Sequence, residues 1–105
     1  MLQITTPETF YTEISKDKIV VVDFCAKWCR PCKEIESGLN DLNVEFGEKV
    51  ELVKVDVDDD EVANVCTEYR VKCVPTFIFF KDGKRVHRII GAALNDVRAE
   101  ITNQL

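Results

Sequence analysis

The chain of 105 residues is short of several things, and each shortage removes a class of function. No apolar run approaches the roughly 18 residues that would suggest a membrane span, so no membrane segment is expected. Lys and Arg number 14 against 19 Asp and Glu, a net charge of −5 that leaves no cationic excess for nucleic acid. The opening residues, Met-Leu-Gln-Ile-Thr-Thr-Pro-Glu, have neither a basic stretch nor an apolar core, so no secretory signal is expected. Linkers, repeats and low-complexity segments are missing too, which predicts one domain over residues 1–105 with a genuine but modest core. The five cysteines, Cys25, Cys29, Cys32, Cys66 and Cys73, are odd in number and irregularly spaced. Without a leader they read as thiols of a reducing compartment rather than a disulfide framework. The acidic run Asp58-Asp59-Asp60-Glu61 lacks the glycine and the position-12 acid of a calcium loop.

What is present alternates between strand and helix signals. Residues 2–5 form a short strand, and Thr6 then caps a helix over 7–17 with Pro7 at its first position. The unbroken run Ile19-Val20-Val21-Val22-Asp23-Phe24-Cys25 predicts a central strand buried on both faces. A stripe at Ile35, Leu39, Leu42 and Phe46 predicts a helix over 30–46, weakened slightly by Gly38. Val50 to Val57 make a third strand, and the acidic run starts a helix over 59–69, where carboxylates suit the helix dipole. Phe77-Ile78-Phe79-Phe80 is a fourth strand, Asp82-Gly83 a two-residue hairpin turn, and residues 84–90 an antiparallel fifth. A last helix covers 94–104 with Leu94, Val97 and Ile101 inward. The order predicts an α/β sheet that begins parallel and ends in an antiparallel hairpin, with helices on both faces.

The chemistry concentrates at Trp28-Cys29-Arg30-Pro31-Cys32, between the central strand and the following helix. Open α/β sheets hold their sites at the carboxyl ends of such strands. Two thiols three positions apart make a redox pair or half a metal site. A zinc site would need further ligands from Cys25, Cys66, Cys73 and His87, without a second Cys-x-x-Cys. For redox work the thiolate is the attacking species, and a helix N-terminus helps it form. Cys29, at or before the first turn, is best placed to attack. Cys32, expected closer to the core, resolves the mixed disulfide. Pro31 stiffens the loop and removes a donor that would be orphaned there. Asp23, a carboxylate inside an apolar strand, should have a raised pKa suited to proton exchange with Cys32. Lys54, a charge inside the third strand, is a partner for it. The plainer reading puts Asp23 at a strand end, capping the next turn.

With Trp28-Cys29-x-Pro31-Cys32, Asp23 before it, and Val74-Pro75-Thr76 some forty residues on, the sequence resembles the thioredoxin family across essentially its whole length. The resemblance implies the thioredoxin fold, a five-stranded mixed central sheet flanked by four helices. It implies a protein-disulfide reductase that cycles Cys29 and Cys32 between dithiol and disulfide. Asp23 would be the family's buried acid with Lys54 beside it. Pro75 would be the cis-proline facing the active disulfide. Trp28, Val74, Pro75, Gly91 and Ala92 would form the substrate groove. No bound cofactor is implied; reducing equivalents would come from NADPH through a thioredoxin reductase. Substrates of the kind implied are peroxiredoxins, methionine sulfoxide reductases and ribonucleotide reductases. A cytoplasmic monomer is expected, with nuclear or leaderless secreted placement as alternatives.

Several positions depart from the family pattern. Arg30 stands where glycine is commonest, and Ser37 replaces a proline that usually kinks the helix, so a straighter helix is expected. A cation near the thiolate is worth about 1 kcal/mol at most, or roughly 20 mV, towards a more oxidising pair. Arg30 would also favour acidic surfaces beside a target disulfide. Cys25 occupies a position where the family often has Trp or Ser. Cys73 recurs in animal-type members, where such a thiol can link two copies. Cys66, on a stripe with Val62 and Tyr69, reads as core. An oxidase or isomerase on the same fold, and a redox sensor acting through Cys73 or Cys66, are the competing functions.

Overall fold

A computed structural model describes all residues, 1–105. Five strands form one sheet: β1 (Leu2–Ile4), β2 (Ile19–Cys25), β3 (Val50–Asp56), β4 (Thr76–Lys81) and β5 (Lys84–Ile90). Their spatial order is β1-β3-β2-β4-β5. β1 and β2 run parallel to β3, while β4 is antiparallel to both β2 and β5. The apolar run of β2 therefore occupies the middle of the sheet, buried on both faces as its continuity requires.

The pleat divides the core in two. Val20, Val22 and Phe24 face α1 (Pro7–Ile14) and the later helix α4 (Ala63–Glu68), where Phe10, Ile14 and Val65 close the layer. Ile19 and Val21 face the opposite way, towards Leu39, Leu42, Val97 and Ile101 on the remaining helices. The start of α1 is as expected: Thr6 Oγ1 accepts the Thr9 N–H at 3.1 Å, and Pro7 follows it. The β4–β5 turn also follows its sequence, with Asp82 at φ 53° and Gly83 at φ 80°, the pair of positive values a type I′ turn demands.

The segment 30–46 is not one straighter helix. It divides into α2 (Arg30–Glu34) and α3 (Glu36–Phe46) at Ile35, whose φ/ψ of −94°/−2° is well off the values of a regular helix. The total therefore rises from four helices to five. The two halves bury different residues in different places. Cys32 of α2 joins a small cluster with Ala26 and Cys29, whereas Leu39 and Leu42 of α3 join the sheet core. A single straight axis cannot serve both. Gly38 also has a packing role: a Cβ there would meet Leu94 Cδ2 of α5 (Leu94–Gln104). The predicted helix 59–69 is shorter than expected, a 3-10 turn over Asp60–Val62 followed by α4, because Asp59 caps the turn by accepting the Glu61 N–H.

Candidate active site

β2 ends at Cys25, and the chain turns through Ala26 to Trp28 before entering α2. Cys29 is the N-cap of α2, and its Sγ accepts the Cys32 N–H at 3.2 Å. The two sulfurs are joined as a disulfide, with the Cα atoms 5.3 Å apart. Exposure does not separate the pair as anticipated: Cys29 is 3% exposed and Cys32 6%, because both face Ala26. What distinguishes Cys29 is the N–H aimed at its sulfur, which will face a thiolate once the disulfide opens.

Beneath the pair the sheet turns polar. Parity on the pleat sends Asp23, Cys25, Lys54 and Asp56 to the same face as Val21 and Leu52, but beyond the reach of the apolar layer. They line a cavity of about 360 Å³ together with Cys32, Lys33 and Glu36. Asp23 is 5% exposed, and its Oδ1 is buried without a hydrogen-bond partner, so it caps no turn. Loss of hydration pushes its pKa up from 3.8 to about 7; Lys54 opposes that rise and Glu36 adds to it. Lys54 lies opposite Asp23 in register, yet its Nζ forms an ion pair with Glu36 at 3.8 Å. Burial likewise pushes the Cys25 thiol up to about 12, and its Sγ donates to the Val55 carbonyl at 3.6 Å. The Cys25 thiol therefore stays protonated at neutral pH.

Val74 packs against the Cys pair, and the Val74–Pro75 peptide that follows is cis. Thr76 Oγ1 donates to the Cys73 carbonyl at 2.7 Å, and the Gly91 N–H donates to the Pro75 carbonyl at 2.9 Å. Gly91, at φ 103°, is thereby held next to Pro75, with Ala92 exposed one residue on. Trp28 and Val74 share a shallow cavity of about 120 Å³ with Val57, Val71, Lys72 and Cys73. Trp28 is 70% exposed but not free, because its Nε1 donates to Asp58 Oδ2 at 2.8 Å. No group of three or more His, Cys, Asp or Glu is arranged to hold a metal ion, and Cys66, Cys73 and His87 do not converge on the Cys pair.

A family model for thioredoxin matches residues 1–103. The thioredoxin of Oryctolagus cuniculus is 42% identical over 89 residues, covering 85% of this chain and 82% of that protein. Among solved structures, thioredoxin from Trypanosoma brucei brucei superposes with a TM-score of 0.91 at 32% identity, over 98% of this chain and 88% of its own. A second is a chain from a structure of the thiol-resolving mechanism in yeast mitochondrial 1-Cys peroxiredoxin via glutathione/thioredoxin systems. It aligns with a TM-score of 0.89 at 31% identity, over 98% of this chain and 94% of that chain. The chain belongs to the thioredoxin family.

As a thioredoxin it is a protein-disulfide oxidoreductase, and the family works through a Cys pair without a bound cofactor. Two of its site residues escaped the sequence reading. Asp58, which fixes Trp28 across thirty residues, was absorbed into an acidic run read as a helix start. Glu36 draws Lys54 from the first turn of α3, and no local pattern pairs it with β3. Arg30 is where it was expected but not as free as expected. Its side chain is 89% exposed, and Nε donates to Glu34 Oε1 at 3.0 Å, which lowers its hold on any thiolate nearby. Cys66 is half-buried against the α1/α4 core rather than enclosed by it.

Proposed function

We propose that the chain, one thioredoxin domain over residues 1–105, works as a reductase of disulfides in other proteins and is itself re-reduced by an NADPH-dependent thioredoxin reductase. The observation that carries the reading is the Cys29 sulfur at the N-cap of α2, beneath the Cys32 N–H and in a cluster packed by Val74. In the reduced state the Cys29 thiolate attacks one sulfur of the substrate disulfide, and the other substrate sulfur leaves as a thiolate. Cys32 then attacks Cys29 Sγ, the mixed disulfide breaks, and the second substrate thiolate leaves. Two electrons pass from the Cys pair to the substrate. The proton that Cys32 must lose goes to Asp23, which shares its cavity and is poised near neutrality with Lys54 alongside.

Trp28, Val74, Pro75, Gly91 and Ala92 serve as the surface on which the substrate strand lies. Peroxiredoxins, methionine sulfoxide reductases and ribonucleotide reductases are substrates of the right chemistry; the likeness to the peroxiredoxin-related structure supports the first of these. The thiols of Cys25, Cys66 and Cys73 fit a reducing compartment, which we take to be the cytoplasm. Cys73, exposed at the rim of the groove, is the thiol through which two copies of the otherwise monomeric protein would link.

Turnover of insulin disulfides with NADPH and a thioredoxin reductase tests the assignment. Cys29→Ser should abolish turnover, and Cys32→Ser should accumulate a mixed disulfide with insulin. Turnover that survives Cys29→Ser removes the site, and turnover supported only by glutathione removes the reductase.

A further inference from the structure

Charge is unevenly distributed along this acidic chain. Of its 14 Lys and Arg, six fall within residues 69–91, where only one of its 19 acids, Asp82, occurs. None of those six, Arg70, Lys72, Lys81, Lys84, Arg85 and Arg88, takes part in an ion pair. Of the eight cations elsewhere, five do, Lys16, Lys18, Arg30, Lys54 and Arg98, and the three that do not, Lys27, Lys33 and Lys49, are scattered along the chain. Unpaired cations so concentrated are a strongly charged surface rather than a solvated scatter.

The fold gathers four of them around Tyr69. Arg88 donates to the Tyr69 and Arg70 carbonyls from β5. Arg85 lies opposite Phe80 in register, and Phe80 stacks edge-on against Tyr69 with centroids 5.2 Å apart. Arg70, at φ 54°, takes the left-handed turn that ends α4 and is exposed. Lys72 follows it, also exposed. The acid adjoining the cluster, Glu68, is engaged by the Tyr11 hydroxyl. Arg70 and Lys72 line an open cavity of about 470 Å³ with Cys66, Thr67 and Val71. Val71 and Lys72 also line the cavity under Trp28 and Val74. The basic surface and the groove beside the Cys pair are therefore continuous.

We propose that this surface docks an acidic stretch of the protein whose disulfide is being reduced, selecting partners with Asp or Glu flanking the target cysteine. The inference rests on the reductase reading and adds a specificity element to it. A strand lying on Val74 and running over Lys72 carries its neighbouring side chains to Arg70, Arg88 and Arg85. A long polyanion such as RNA fits less well, because the remainder of the chain is strongly acidic and repels whatever extends past the patch. A short acidic segment stays within it.

The test uses two peptides of equal length with one intramolecular disulfide each, one flanked by Asp residues and the other by Asn. At low ionic strength the wild type should reduce the Asp peptide with kcat/KM about fivefold higher, the product of two or three exposed ion pairs. The preference should collapse in about 0.5 M salt, where screening acts within a few ångströms. Arg70→Glu with Arg85→Glu should reverse the preference, and the neutral pair Arg70→Gln with Arg85→Gln should erase it; circular dichroism confirms that each is folded. Equal rates on both peptides at low salt, or a preference that survives in a folded double variant, overturns the proposal. So does salt-sensitive binding of a labelled RNA oligomer, lost in the double variant, with no preference between peptides. Reduction of the Asn peptide by the wild type reads the reductase function separately.

Discussion

Replacing Asp23 with Asn should make the protein more stable, and by an amount that depends on pH. The carboxyl titrates at about 7 in the folded chain against an ordinary value of 3.8. Between those values the folded state holds a proton that the unfolded chain has released. Stability therefore falls as pH rises through this window and levels off above about pH 7. The full difference corresponds to about 4 kcal/mol, at 1.36 kcal/mol per pH unit. Asp23 is 5% exposed, so little of that is lost to solvent screening. Between pH 5 and pH 8.5 the wild type should lose about 3 kcal/mol that Asp23→Asn does not lose. Urea denaturation of the oxidised proteins at a series of pH values measures this directly. The variant should gain about 1.5 kcal/mol at pH 5 and about 4 kcal/mol at pH 8.5. Wild-type and variant profiles that run parallel within about 0.5 kcal/mol would refute the placing of a proton on Asp23.

Three further outcomes follow from the same geometry. Glu36→Gln removes a neighbour that raises the Asp23 pKa and frees Lys54 to oppose that rise, so the midpoint of the pH-dependent loss should move down by about half a pH unit; an unmoved or raised midpoint contradicts it. Asp58→Ala deprives the single tryptophan of its acceptor, so Trp28 fluorescence anisotropy should drop and KM for insulin rise about threefold with kcat little changed. An unchanged anisotropy would show that Asp58 does not hold the ring. Arg30→Gly should make the Cys pair more reducing by less than roughly 20 mV, because Arg30 is exposed and paired with Glu34; a shift several times larger, or towards a less negative potential, would mean that its charge reaches the thiolate.

Local patterns settled much of this molecule before any tertiary contact was known. The unbroken apolar run Ile19–Cys25 demanded a strand covered on both faces, and it is the middle strand. Thr6-Pro7 opened a helix, Asp82-Gly83 closed a hairpin, and the spacing of Cys29 and Cys32 set two thiols one turn apart at a helix start. Each depends on residues within a few positions of one another, where propensity, capping and turn geometry act. Where neighbours come from separate elements, those rules have nothing to act on. The break at Ile35 arises because Cys32 and Leu39 have different destinations in the core. Ser37, read alone, suggested the reverse.

Asp23 shows the division most sharply. Its sequence context announced a costly carboxylate. Whether that carboxylate capped a turn or held a proton was decided by a sheet register that sets Lys54 beside it and a helix that brings Glu36 over Lys54. The same holds for Asp58 under Trp28 and for the cations gathered at Tyr69. The order of residues determined which chemistry was available. Only the packing of distant elements decided how strongly each charge is felt, because burial and through-space distance are properties of the folded chain alone.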